Sequence, residues 1–148
     1  AALVILGRVL VEQGEAARGI SEIDSGLDVL CANGLRLGLP LRRGLLAGAC
    51  LRVGNVERGL AAVDVALGQC RDGGGHFFEA ELWRLRGELL LRERGAEGLD
   101  RSAGPVEAEE CFTKARRIAR VQGARTLEWR VERRRAGTAP GRKVRRVG

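Results

Sequence analysis

Five small residues recur at one fixed distance along this chain, and that recurrence limits what it can fold into more than any other feature. Gly7, Gly14, Gly19, Gly26 and Gly34 are followed, each 40 residues later, by Ala47, Gly54, Gly59, Ala66 and Gly74. Gly87 lies 40 beyond Ala47, whereas Ala108, Ala115 and Gly123 lie 49 beyond Gly59, Ala66 and Gly74, so the third copy carries a nine-residue insertion between Gly87 and Ala108. Self-similarity at a period of a few tens of residues marks stacked supersecondary units, each of which buries its apolar face only against its neighbours. An array is therefore expected.

The units are expected to be helix pairs. A hydrophobic content of 45% over 148 residues is enough for a continuous core, and aromatics at 3% make that core aliphatic. Leu, Val, Ile and Ala at helical spacing, with Gly at fixed points, suit close helix-to-helix packing better than sheet, so the class is read as all-α. Apolar runs such as Ala2 to Leu6 and Leu89 to Leu91 fall well short of the ~18 residues of a membrane span. The N-terminus has no basic stretch ahead of a long apolar core, so no secretory signal is read and a cytoplasmic location is expected.

Along the chain, Leu3, Leu6 and Leu10 make one apolar face of a first helix over residues 1–12. A chain that starts inside a helix and contains no methionine reads as part of a longer protein. Gly14 closes that helix, Ile20, Ile23, Leu27 and Leu30 stripe a second from about Glu15 to Cys31, and Asn33 with Gly34 supplies its C-terminal cap. The second unit opens at Pro40, tolerated in a first helical turn, and runs to Gly54. Its partner helix starts at the N-cap Asn55 with Val56, Leu60, Val63, Leu67 and Cys70 on one face. Asp72 and the run Gly73 to Gly75 break the chain; no Lys-Ser or Lys-Thr follows, so the run reads as a turn and not a phosphate cradle.

In the third unit Leu82, Leu85 and Leu89 share one face, and Trp83, Gly87 and Leu90 the adjoining one. The insertion at residues 95–105 is rich in turn formers and reads as an exposed loop. Ala108, Phe112, Ala115 and Ala119 mark the packing face of the helix over 106–122. A further helix starts at Thr126 with Leu127 and Trp129, after which periodicity dissolves. The organisation expected is repeats at about 1–34, 40–74 and 78–123, the start of a further helix within 124–131, and a disordered basic tail over 132–148.

No catalytic, metal or cofactor site is read in the chain. Cys31, Cys50, Cys70 and Cys111 lack metal-ligand spacing, and all but Cys31 fall within apolar helical patterns, where a thiol acts as a small hydrophobe. His76, the sole histidine, sits beside the glycine run and reads as a surface residue. Glu107, Glu109 and Glu110 lie at a helix start, where negative charge offsets the helix dipole. The net charge of +7 is unevenly spread: residues 116–148 hold 12 Arg and Lys against two Glu, or +10, which leaves −3 for the first 115.

Leu3, Leu6-Gly7 and Leu10, then Leu46-Ala47 with Cys50, then Trp83, Gly87 and Leu90 match the first-helix pattern of the tetratricopeptide repeat, and Ala108, Phe112 and Ala115 match its second helix. The chain thus resembles a tetratricopeptide-like α-solenoid of stacked antiparallel helix pairs. FEAELWRLRGELLLRERG followed by AEECFTKARRIARVQGARTLEWR is similar to the C-terminal repeat region of large bacterial proteins of the predicted-ATPase, adenylate-cyclase-like and ATP-binding transcriptional regulator type, over about residues 1–130. The resemblance implies a regulatory, protein-binding role. The ATPase or cyclase of such proteins would lie outside this segment.

In such an array the first helices line a groove, and the repeat register points Arg8, Glu12, Arg52, Glu81, Arg84, Glu88 and Arg92 into it. A groove of mixed sign suits charged peptide segments. The expected partners are a protein or peptide, other domains of the same longer chain, or a second copy. The alternative is nucleic acid held by the tail, where Arg133 to Arg135 and Arg142 to Arg146 would neutralise phosphates.

Overall fold

The computed structural model of the chain describes residues 2–73, 75–96 and 106–138. Its elements are α1 (Ala2–Glu12), α2 (Ala16–Ala32), α3 (Leu39–Val53), α4 (Val56–Arg71), α5 (Glu79–Ala96), α6 (Val106–Val121) and α7 (Arg125–Thr138), with a 3-10 turn, His76–Phe78, leading into α5. Among the described residues there is no strand. None of these helices is long and apolar enough to cross a membrane.

The 40-residue recurrence separates into two physical causes. The first is turn geometry. Gly14, Gly54, Gly34 and Gly123 have φ of 93°, 79°, 68° and 65°, a left-handed backbone that costs glycine nothing and lets a helix stop. The third copy carries Arg94 where the first two carry Gly14 and Gly54, and α5 runs on through it to Ala96.

The second cause is the approach of one backbone to another. A Cβ built on Gly7 would lie 2.3 Å from the carbonyl oxygen of Gly19, and one on Gly26 would lie 2.8 Å from Val4 Cγ2. Contacts of residue 7 with 19 and of residue 4 with 26 mean that α1 and α2 run antiparallel. In the third pair the ring of Phe112 fills the equivalent space, 2.8 Å from a Cβ on Gly87. Ala47, Ala66, Ala108 and Ala115, the alanines of the same series, are all fully buried.

Helix α1 packs on α2, α3 on α4 and α5 on α6, and each pair meets the next through α2–α3, α4–α5 and α6–α7. The odd-numbered helices also touch in sequence, α1 with α3, α3 with α5 and α5 with α7. A hydrophobic cluster runs through α1 to α5, including the Ile20, Ile23, Leu27 and Leu30 stripe, Val63, Leu67 and Cys70 of α4, and Leu82, Leu85 and Leu89 of α5. A smaller cluster joins Ala108, Phe112, Ala115 and Val131, with Trp83, Leu90 and Leu91 against it. The ion pairs Arg58–Asp24, between α4 and α2, and Arg86–Asp64, at 3.0 Å between α5 and α4, tie successive pairs together.

Two features depart from the sequence reading. Leu3 and Leu6 are exposed, while Val4, Gly7, Leu10 and Val11 form the buried face of α1. The close approach of Gly7 to Gly19 turns the helix so that only Leu10 of the leucine series points inward. Helix α7 also runs to Thr138, beyond residue 131, where order is expected to end. Arginine is a good helix former, Val131 is fully buried, and Arg120 of α6 pairs with Glu128 and Glu132. Gly95 and Ala96, the first two residues of the loop expected at 95–105, belong to α5, and the rest of that loop and the last ten residues of the expected tail, 139–148, lie outside the described residues.

Candidate functional site

A cleft of about 410 Å³ opens along the odd-numbered helices. Its floor is aliphatic and comes mainly from α3 and α5, with Leu41, Leu45, Ala49, Leu82 and Leu85, closed by Pro40 and by Phe78 of the 3-10 turn. Positions 41, 45, 48, 49 and 52 of α3 recur at intervals of three and four, so one helical face carries Leu41, Leu45, Gly48, Ala49 and Arg52 into the cleft. Val11, Arg8 and Glu12 of α1 form one wall, and Arg130 of α7 enters from the far side.

The seven residues predicted to face a groove divide into two groups. Arg8, Glu12, Arg52, Glu81 and Arg84 line the cleft; Glu88 and Arg92 do not. Glu88 lies one turn beyond Arg84 on α5 and is paired with it. The Arg92 guanidinium sits over the α3–α4 turn, 3.6 Å from where a Gly54 side chain would begin.

The charges are unequally engaged. Arg8 Nε donates to Glu12 Oε1 at 3.2 Å, an exposed i,i+4 pair. Arg84 grips Glu81 with two hydrogen bonds, Nε to Oε2 at 2.8 Å and Nη2 to Oε1 at 2.6 Å, and also donates to Glu88. Its side chain is only 14% exposed. Burial works against the charge, but the bonds to the two carboxylates outweigh it and raise the pKa above the ordinary arginine value. Arg84 is thereby spent inside the protein. Arg52 and Arg130 have no ion-pair or hydrogen-bond partner among the described residues, which leaves two guanidiniums beside an apolar floor.

Residue periodicity reveals the α3 face but not Arg130, whose place depends on how α7 folds back against α5. The spacing Glu81, Arg84, Glu88 contains the signal for an in-helix triad, since i,i+3 and i,i+4 neighbours on a helix touch.

The remaining candidates for chemistry are scattered. Cys50, Cys70 and Cys111 are buried and Cys31 is exposed, all as free thiols. Burial pushes the Cys50 thiol up to about 11. His76 is exposed, with Nδ1 3.4 Å from Glu79 Oε2. No cluster of three or more metal-ligating side chains occurs among the described residues. Compared with family models, with characterised proteins and with solved structures, the chain finds no match.

Proposed function

We propose that this chain is a protein–protein interaction module: a tetratricopeptide-like array of stacked helix pairs, serving as the regulatory C-terminal segment of a larger nucleotide-dependent signalling or transcriptional regulatory protein. Its cleft holds an extended partner segment that combines aliphatic side chains with carboxylates. The observation that carries this reading is the pairing of the apolar α3–α5 floor with the two unpartnered guanidiniums of Arg52 and Arg130. Aliphatic side chains of a peptide would cover Leu41, Leu45 and Leu85, and its carboxylates would meet those arginines in charge-assisted hydrogen bonds. The contacts between successive odd-numbered helices support the array reading, since they make one continuous surface of α1, α3 and α5.

The test is selection from a displayed library of random peptides on the full chain. Retained sequences should mix aliphatic and acidic residues, and the double substitution Arg52→Glu, Arg130→Glu should weaken the best of them by about tenfold or more, about 1.4 kcal/mol. Arg92→Glu, outside the cleft, should change little. A library that yields no binder, or peptides held equally well by the double variant, would count against the cleft.

A further inference from the structure

The most exposed large apolar side chains among the described residues are Leu37 at 90%, Val121 at 85%, Phe77 at 76% and Val106 at 74%. The first three lie at the α2–α3, α6–α7 and α4–α5 joints, and Leu37 and Phe77 stand one 40-residue period apart. These joints come together in space. Pro40 and Phe78 line the same cleft, and a Cβ on Gly44 of α3 would lie 3.2 Å from Leu82 Cδ2 of α5, so α3 and α5 begin side by side. Gln122 Nε2 donates to the His76 carbonyl oxygen at 2.7 Å, which ties the α6–α7 joint to the 3-10 turn. The resulting edge runs across the helix ends, so a helix pair added before α1 or after α7 would leave Leu37 and Phe77 open. Its charge is one-sided. Residues 29–44 contain three arginines and no acid, and residues 111–127 five basic residues and no acid. Arg36, Arg71 and Arg125 are exposed and have no ion-pair partner among the described residues. Asp72 opposes them, while Glu79 lies beside His76 and Glu128 is held by Arg120. At the opposite edge acids alternate with bases, Glu12 and Glu15 with Arg8 and Arg18, and Glu57 between Arg52 and Arg58.

We propose that this edge is the face by which the protein lies on an anionic lipid bilayer, with Leu37, Phe77 and Val121 entering the interfacial region and Arg36, Arg71 and Arg125 meeting headgroup phosphates. Apolar side chains that stand out singly from three separate joints form no groove for a peptide. A nucleic-acid backbone offers them no apolar counterpart. A fluid bilayer accepts protruding side chains at any spacing, rewards the removal of each from water, and surrounds them with the anions that the neighbouring guanidiniums need.

Co-sedimentation of the full chain with vesicles tests this, one set of phosphatidylcholine alone and one with about a third phosphatidylserine. The parent should bind the anionic set and little of the neutral one. The basic C-terminal residues are drawn to any anionic surface, so the decisive variants keep the charge unchanged. Leu37→Ser with Phe77→Ser should lower partitioning into the anionic vesicles by about tenfold or more. Phe77 meets Phe78 edge to face, with ring centroids 5.3 Å apart, so Leu37→Ser with Val121→Ser serves as a second variant that leaves the aromatic pair intact and should lose binding to a similar degree. Helix content by circular dichroism should be unchanged in both. Val53→Ser with Val106→Ser, which removes exposed aliphatics at the opposite edge, should bind like the parent. A parent that ignores the anionic vesicles, joint variants that bind as the parent does, or an equal loss in the opposite-edge variant would each overturn the proposal. So would RNA binding that falls with the joint substitutions while vesicle binding does not.

Discussion

Replacing Gly7 by alanine adds one methyl group at the tightest crossing of the molecule. The new Cβ would stand 2.3 Å from the Gly19 carbonyl oxygen, 2.6 Å from Ile23 Cγ1 and 2.9 Å from the Ile23 backbone nitrogen. Two of these three neighbours are backbone, so no side-chain rotation relieves the overlap and α1 must back away from α2 by about 1 Å. A gap of that size forfeits a quarter to a half of each van der Waals well along the interface. Overpacking typically costs about 1–3 kcal/mol, and rigid backbone on the far side puts this site near ~3. Alanine recovers ~1 kcal/mol as the better helix former. The net loss is therefore about 2 kcal/mol, which lowers Tm by about 6 °C in a chain of this size. Gly48 is the matched control, since it lies inside α3 and a Cβ there meets nothing within 4 Å. Gly48→Ala should raise Tm by about 3 °C through helix propensity alone. Thermal melts followed by circular dichroism read both, and a Gly7→Ala variant as stable as the parent would refute the argument that backbone contact dictates glycine at this crossing.

Arg84→Ala should destabilise by about 3 kcal/mol, because it strands Glu81 and Glu88 in a largely buried setting; urea unfolding measures it, and a loss under ~1 kcal/mol would make the triad an ordinary surface pair. For Cys50 the folded thiol, at about 11, holds its proton above the free value of 9.0, so the unfolded chain ionises first and stability falls as pH rises from about 9 towards 11. Cys50→Ala should flatten that slope in pH-dependent denaturation, whereas an unchanged slope would assign it to other groups.

The all-helical class and several of the helix joints were legible because joints and crossings need particular residues. Glycine at 14, 34, 54 and 123 announces a left-handed turn, and small residues at 7, 19, 26, 47, 59 and 66 announce backbones in contact. What periodicity leaves out is the neighbour that each face meets. Leu3, Leu6 and Leu10 share a spacing that fits a buried stripe, yet only Leu10 is covered, because the contact of Gly7 with Gly19 turns α1 so that Val4, Gly7 and Val11 meet α2 in place of Leu3 and Leu6. The same limit applies to the cleft. Register brings Arg8, Glu12, Arg52, Glu81 and Arg84 to one surface, but whether a guanidinium there is free or already held depends on its own helix: Arg84 has acidic neighbours at both i−3 and i+4 and Arg52 has none. Arg130 reaches the cleft only through the docking of α7, which no local pattern contains.

Helix α5 is the one element that belongs to both hydrophobic clusters, and Trp83 on it packs against each. The face of Trp83 also carries the ammonium of Lys114, 4.4 Å from the ring centroid, so the link to α6 is partly electrostatic. In a molecule whose parts touch mainly their sequence neighbours, cooperativity is passed along from unit to unit and is no stronger than its narrowest junction. Here that junction is α5. Energy put into the interface between α5 and α6 decides whether the two ends of the chain melt as one transition or as two, and the half-buried indole of Trp83 at the seam is the optical probe that would register which.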